Sequence, residues 1–185
     1  MEDSTTSPVC HSAVGIRYVS RDDDPLTISD IYEKSWKYAY KDIIPQSYLD
    51  SIPTGRWAGR ISNNGMNSLV LLLNGTIIGT AGLCGSRWER FADHGEIVSI
   101  YFLPEYMGKG YGTLLLKRCI EELNRLGYDR ILLWVLEDNI RARKFYERNG
   151  FAFTGEYMTD NIGGKELREM MYSYRTGTGT ADKKN

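Results

Sequence analysis

The sequence has no long hydrophobic run and no excess of charge of either sign. No apolar stretch in its 185 residues approaches the length of a membrane span. Lys and Arg together number 23, Asp and Glu together number 24, and the formal net charge is -1. No overall field therefore attracts nucleic acid or an anionic membrane, so any anion-binding site must be local.

Cysteine is also scarce. Cys10, Cys84 and Cys119 are odd in number and fit neither a disulfide framework nor paired metal-ligand spacing. We therefore predict a reducing compartment and no metal site. The first residues, MEDSTTSPVCHSAVG, lack the basic and apolar regions of a signal peptide, which favours a cytoplasmic protein.

What the sequence does contain is enough apolar material for one domain, since 42% of its residues are hydrophobic. Both ends are small and polar. We predict a flexible N-terminus over residues 1–13, a domain over residues 14–175 and a flexible tail over residues 176–185.

The first half of the domain predicts a strand, helices and a hairpin. VGIRYVS alternates as a strand does, and DDDPLTISDIYEKSWKYAY has capping carboxylates followed by helical spacing. One or two short helices follow Pro45. SLVLLL and TIIGTAGLCG flank the turn Asn74-Gly75 and form a β-hairpin.

The second half predicts alternating elements. EIVSIYFL is a strand, TLLLKRCIEELNRLG a helix and DRILLWVL a buried strand. A helix begins near Asn139, and the strands FAFTGEYM and ELREMMYSYR follow it. The order β, α, α, three strands, α, β, α, β, β predicts a mixed α/β fold.

The stretch LPEYMGKGYGTLLLK places three glycines between a strand and a helix. Free N–H groups at a helix N-terminus favour an anion, and glycine allows close backbone approach. A nucleoside-triphosphate loop is excluded, because Lys109 is followed by Gly110 rather than Ser or Thr. A dinucleotide site is disfavoured by the spacing GxGxG but left open by Glu137, and a turn without ligand also stays open.

A second motif lies in DNIRARKFYERNGF. Asn139, Ala142, Arg143 and Tyr146 have the spacing i, i+3, i+4 and i+7, which predicts one helical stripe. An amide and a phenol thus share a helix face. The spacing alone does not distinguish a functional phenol from a tyrosine of the core.

Together, EIVSIYFLPEYMGKGYGTLL and NIRARKFYERNGF resemble the GCN5-related N-acetyltransferase (GNAT) family. The resemblance covers the order of elements from about Gly15 to Arg175. It implies a central, mostly antiparallel sheet with a splayed parallel pair, flanked by helices. It also implies acetyl-coenzyme A as cosubstrate and direct transfer of the acetyl group to a primary amine.

The resemblance assigns roles to individual residues. The loop that binds the pyrophosphate through main-chain N–H groups comprises Gly108, Lys109, Gly110, Tyr111, Gly112 and Thr113. The strand that pairs with the pantetheine arm carries Ile100, Tyr101 and Phe102, and Ile100 is also the suggested oxyanion donor. Asn139 contacts the coenzyme, and Tyr146 protonates the departing thiolate.

Two positions fit this assignment less simply. Met107 stands where the family usually has Gln or Arg. Glu96 matches the glutamate that several members use as a base, and simple alternation puts it on the strand face of Val98 and Ile100. It lies about 13 Å from Ile100 along the strand, so we expect it to act through water, unless it is only a surface charge.

The acceptor is the least defined partner. Trp134 replaces a glutamate found in members that acetylate protein N-termini, which argues against that type of enzyme. Trp36, Tyr38, Tyr40 and Trp57 either belong to the core or line an acceptor groove. The acceptor classes left are a small amine, such as a polyamine or amino compound, and a protein lysine.

Two further points stay open. A non-catalytic sensor of acyl-coenzyme A would keep the same glycine loop, although the presence of Tyr146 and Glu96 favours an enzyme. The sequence also leaves a homodimer open.

Overall fold

The computed structural model of the protein describes residues 13–61 and 67–177. Its helices and strands are β1 (Val14–Tyr18), α1 (Pro25–Ala39), α2 (Gln46–Asp50), α3 (Ala58–Ile61), β2 (Asn67–Leu73), β3 (Thr76–Gly85), β4 (Gly95–Phe102), α4 (Tyr111–Arg125), β5 (Arg130–Leu136), α5 (Ile140–Arg148), β6 (Ala152–Ile162) and β7 (Lys165–Arg175). The predicted flexible ends lie outside the described residues, apart from Ala13, Thr176 and Gly177. No helix of the described part is both long and apolar enough to cross a membrane.

The seven strands form one sheet in the order β1-β2-β3-β4-β5-β7-β6. All neighbouring strands are antiparallel except β4 and β5, which are parallel. These two strands pair at Gly95 with Ile131 and at Glu96 with Leu132, and then they separate. The structure therefore confirms the predicted mixed α/β fold with a mostly antiparallel sheet and a splayed parallel pair.

Each face of the sheet buries its own apolar core. On one face, the α4 face, Leu116 and Leu123 of α4 pack with Ile131 and Leu133 of β5. On the other, the α1 face, Ile28 of α1 and Leu49 of α2 pack with residues that include Leu136 and Leu167 of the sheet. Burial of these two cores fixes the helices on opposite sides of the splayed strands.

A β-bulge in β4 changes which side chains reach each face. Ile97 pairs with Leu83 and Ser99 pairs with Gly82, so Val98 is an extra residue. Ile97 and Ile100 consequently both pack on the α4 face. The expectation that Glu96 and Ile100 share a face is wrong, because the bulge reverses the alternation between them.

Candidate active site

A cavity of about 1200 Å³ lies where β4 and β5 separate. Its walls come from α1, β4, β5, α5, β6 and β7, and from the loop between β4 and α4. The sheet opens here because the two parallel strands lose their shared hydrogen bonds after Glu96 and Leu132. The backbone groups of β4 that face the gap are therefore left for a ligand.

The glycine loop forms one end of this cavity. Gly108 and Gly110 have φ values of +78° and +89°, a conformation that side chains rarely adopt. Gly110 is the N-cap of α4 and has no side chain that could accept hydrogen bonds from the first backbone N–H groups of the helix. Within the described chain, no backbone N–H of residues 108–112 donates a hydrogen bond to a backbone acceptor outside helices and strands. These groups and the positive end of α4 make a local anion site.

The side chains of the loop have separate roles. Gly108, Gly110, Gly112 and Thr113 line the cavity. Lys109 instead places its Nζ 5.6 Å from the centre of the Tyr106 ring. The centre of the Tyr111 ring lies 6.4 Å from the centre of the Tyr106 ring. The structure thus brings four of the six predicted loop residues to the cavity wall. For Lys109 and Tyr111, the predicted phosphate contacts come from the backbone N–H groups rather than from the side chains.

Met107 follows a single turn of 3₁₀ helix, Pro104–Tyr106, and precedes the first glycine. Its side chain packs against the core of the α4 face and also lines the cavity. An apolar side chain suits that packing. The predicted anion donors of this loop are backbone N–H groups, and these do not require a polar side chain at position 107.

Glu137, which kept a dinucleotide site open, does not line the cavity. Its carboxylate binds the Arg168 guanidinium with contacts of 2.6 and 2.7 Å. The pair lies at the protein surface, with both side chains partly exposed. The acidic residue that a dinucleotide ribose needs is therefore engaged elsewhere.

Asn139 and Tyr146 lie on the cavity side of α5. Asn139 is the N-cap of this helix, and its Oδ1 accepts a hydrogen bond of 3.1 Å from the Ala142 N–H. Of the four residues predicted to form one helical stripe, Asn139, Ala142 and Tyr146 line the cavity. Arg143 does not: it donates to the Glu137 carbonyl and the Tyr172 hydroxyl.

The Tyr146 hydroxyl is suited to donate a proton. Burial raises its pKa well above the usual range for tyrosine, and the neighbouring Tyr101 raises it further. The hydroxyl is therefore neutral at physiological pH. None of the hydrogen bonds within the described residues occupies this hydroxyl, although the ring contacts Phe145 and Phe151 edge-on.

Ile100, Tyr101 and Phe102 all line the cavity on the β4 side. They pair with Ala81, Thr80 and Gly79 of β3, while their other edge faces the gap left by β5. The Tyr101 hydroxyl accepts a hydrogen bond of 3.0 Å from the Trp36 indole. This contact links α1 to β4.

Glu96 is buried at the closed end of the gap, with 1% of its side chain exposed. Its Oε1 lies 2.6 Å from Nη2 of Arg87, and its Oε2 accepts the Arg87 backbone N–H at 2.9 Å. This pairing neutralises a carboxylate that the fold has removed from water. The assignment of Glu96 as the base stays a prediction, and the ion pair counts against it because donors already occupy both oxygens.

The wall opposite the glycine loop is aromatic and acidic. Trp36, Tyr40 and Trp57 line the cavity and also pack in the core of the α1 face. Tyr38 is 52% exposed and lies outside the cavity, with the Arg141 guanidinium 5.6 Å from its ring centre. Three of the four predicted aromatics thus serve both the core and the cavity.

Trp134 packs against Trp88 on this wall, with ring centres 5.4 Å apart. Both residues line the cavity. Among the described residues, neither indole N–H finds a hydrogen-bond acceptor, although both atoms are buried. The wall therefore carries two unpaired hydrogen-bond donors, the indole N–H groups of Trp88 and Trp134.

Several residues of this wall were not predicted from the sequence, among them Arg87, Trp88, Asp160 and Glu169. For Glu169 a signal existed. In ELREMMYSYR it alternates with Leu167 and Met171, so a carboxylate occupies a position that the pattern assigns to a buried face. The other three residues reach the wall through the pairing register of the strands, which the sequence alone does not reveal.

The described cysteines do not contribute a nucleophile. Cys119 is fully buried in α4, where burial raises the pKa of its thiol to about 12. Burial likewise raises the pKa of the partly buried Cys84. Both thiols are protonated and neither lines the cavity, and Cys10 lies outside the described residues.

Comparison with known proteins agrees with this geometry. The profile of the acetyltransferase (GNAT) family matches residues 27–151. An uncharacterized N-acetyltransferase, YuaI of Bacillus subtilis, is 28% identical over 80% of this chain and 86% of its own. A spermidine N(1)-acetyltransferase of Thermoplasma acidophilum is 26% identical over 81% of this chain and 92% of its own. The structure of YncA, a putative acetyltransferase from Salmonella typhimurium with acetyl-coenzyme A, superposes with a TM-score of 0.68, 24% identity and coverage of 91% and 97%.

Proposed function

The chain belongs to the acetyltransferase (GNAT) family and uses acetyl-coenzyme A as its acetyl donor, and we propose that its acceptor is a primary amine of a small cation. The family predicted from the two sequence motifs is confirmed by the match over residues 27–151. The observation that carries the proposed acceptor is a single cavity whose lining includes both the glycine loop and three carboxylates, those of Glu96, Asp160 and Glu169.

The donor end suits the coenzyme. We propose that the free N–H groups of residues 108–112 bind the pyrophosphate and that the open edge of β4 pairs with the pantetheine arm. Asn139 on the cavity wall would contact the coenzyme, and the Ile100 N–H would receive the developing oxyanion. Neutral Tyr146 would then protonate the thiolate as it leaves.

The acceptor end suits a cation. Glu96, Asp160 and Glu169 line the cavity there, and Arg87 neutralises only the first of them. Aromatic faces on the same wall attract an ammonium group. A relative named for spermidine acetylation agrees with a polyamine as the first acceptor to test. The amine would attack the thioester directly, without an acyl-cysteine.

A thiol-release assay with acetyl-coenzyme A tests this proposal. The panel contains spermidine, a monoamine, an amino acid, an aminoglycoside and a lysine peptide. We expect the highest kcat/KM for the polycation and an acetylated amine by mass spectrometry. Tight coenzyme binding without turnover on any amine would instead support the non-catalytic sensor.

The cytoplasmic location stays a prediction, and a homodimer stays open. Fractionation of the source cells and light scattering of the purified chain test them separately.

A further inference from the structure

Glu169 lies on the acceptor wall, and the proposed function gives it no step of the reaction. It lies in β7, directly opposite Leu136 of β5 and Met158 of β6. Its own face of β7 also carries Leu167 and Met171, which are buried. The carboxylate thus projects from the α1 face of the sheet into the cavity, and it is half-buried rather than solvated.

Glu169 differs from its acidic neighbours in having no donor. Glu96 is held by the backbone and guanidinium of Arg87. Asp160 is exposed and accepts a hydrogen bond of 2.8 Å from the Asn161 N–H. Across residues 13–61 and 67–177, no hydrogen bond or ion pair to the Glu169 carboxylate is formed. Its oxygens are therefore available to a ligand in the cavity.

The surroundings of Glu169 favour the uptake of a proton. The pKa of its carboxyl is raised to about 7, chiefly by burial and next by the negative charge of Asp160 on β6. Arg87, from the loop after β3, lowers it, while Glu96 of β4 raises it. The Tyr40 hydroxyl, directly after α1, faces the same region, and its pKa is raised to about 12, chiefly by burial. Tyr40 is thus neutral, and Glu169 is the group that titrates near neutral pH.

We propose that Glu169 binds the ammonium group of the acceptor and removes its proton. This proposal rests on the proposed function and adds the base that the reaction needs. An alkylammonium has a pKa of about 10.4, so at neutral pH few molecules carry the free lone pair that attacks the thioester. A general base works best when its own pKa is close to the working pH.

The proposed reaction moves protons at Glu169 and at Tyr146. One proton passes from the ammonium nitrogen to the Glu169 carboxylate, which leaves a neutral amine. The nitrogen lone pair forms a bond to the thioester carbon, and the carbonyl π electrons move to oxygen. Collapse of this intermediate breaks the C–S bond, and the sulfur leaves with its electron pair. Tyr146 gives its proton to the sulfur and is restored by the second proton of the nitrogen, while Glu169 releases its proton to water.

The test compares pH profiles of Glu169→Gln and the unaltered protein, using the panel amine with the highest kcat/KM. For the unaltered protein we expect kcat to rise with pH through about 7 and then level off, because the base is active when deprotonated. Glu169→Gln should lower kcat at pH 7 by about 100-fold. Its rate should then keep rising toward pH 10, where the amine deprotonates unaided.

Two further variants separate a chemical role from a structural one. Glu166→Gln makes the same change at an exposed position of β7 outside the cavity and should leave kcat and its pH profile unchanged. Asp160→Asn removes a negative charge that raises the pKa of Glu169. The rise of kcat with pH, called here the limb near pH 7, should therefore shift to lower pH. Coenzyme A affinity and the circular dichroism spectrum should be the same in all variants.

The outcomes are distinct. A Glu169→Gln protein that keeps the kcat and the limb of the unaltered protein would overturn the proposal. A limb that persists in Glu169→Gln and disappears in Glu96→Gln would assign the base to Glu96 instead. If the unaltered protein turns over no amine of the panel, the proposed function fails, and the role of Glu169 fails with it.

Discussion

The two ends of the cavity are built from different parts of the chain. At the end proposed for the coenzyme, the candidate anion donors are backbone N–H groups that Gly108 and Gly110 orient at the start of α4. At the acceptor end, the wall consists of side chains from different strands, among them Glu96 of β4, Trp134 of β5 and Glu169 of β7. One end depends on local conformation, and the other depends on the register of the whole sheet.

This difference predicts different sensitivities. A change in the backbone of the loop removes several donors at once, whereas a charged side chain near the loop contributes little. At the acceptor end, each buried side chain has its own energetic role. The following substitutions test that contrast.

Gly110→Val should have the largest effect, because valine does not tolerate a φ of +89°. Loss of about three hydrogen bonds to phosphate costs about 4 kcal/mol, or about 1000-fold in coenzyme A affinity by calorimetry. Gly127→Val is the matched control, since Gly127 has a φ of +97° and lies outside the cavity. Both variants should lose similar thermal stability, and retained affinity in a folded Gly110→Val protein would refute the backbone site.

Tyr146→Phe should lower kcat by about 100-fold, because the thiolate then leaves without a proton donor. The coenzyme A dissociation constant should change less than about twofold, since the ring still packs on Phe145 and Phe151. Tyr174→Phe removes a hydroxyl outside the cavity and serves as control. An unchanged kcat in steady-state assays would remove Tyr146 from the mechanism.

Arg87→Met leaves the buried Glu96 carboxylate without its main partner. We expect a loss of about 2 kcal/mol, seen as a fall in Tm of about 5 °C, with coenzyme A affinity unchanged. Arg90→Met, which breaks the exposed ion pair with Glu156, should lower Tm by about 1 °C or less. Equal shifts for the two variants would mean that the pair of Arg87 and Glu96 acts like a surface pair.

Lys109→Ala should have the smallest effect. Its ammonium lies over the Tyr106 ring and its side chain does not line the cavity. Coenzyme A affinity should fall less than about threefold at physiological salt, where screening weakens a single surface charge. A tenfold loss would show that side-chain charge, rather than the backbone, holds the phosphates.

The sequence predicted the local structure of the glycine loop and of α5 well, because the signals for these features are local. The turn at Asn74-Gly75 has φ values of 50° and 83° and joins β2 to β3 as expected. The glycines, the start of α4 and the stripe of Asn139 and Tyr146 also follow from short-range rules. These features need only neighbouring residues, so their positions can be inferred without knowledge of the sheet.

The acceptor end could not be predicted in the same way. The bulge at Val98 separates Glu96 from the face of Ile100, and simple alternation gives the opposite result. Arg87 reaches Glu96 only because β3 and β4 are paired in one register. Glu169 meets Leu136 and Met158 through strands that are distant in sequence. Such contacts are set by tertiary pairing rather than by local propensity.

A crystal structure with coenzyme A and the best acceptor of the panel tests the division of the cavity most directly. We expect the pyrophosphate on the N–H groups of residues 108–112 and the thiol within about 3.2 Å of the Tyr146 hydroxyl. The acceptor should lie against the wall that carries Glu169. A pyrophosphate held by lysine and arginine side chains away from the loop, or a thiol remote from Tyr146, would contradict the account.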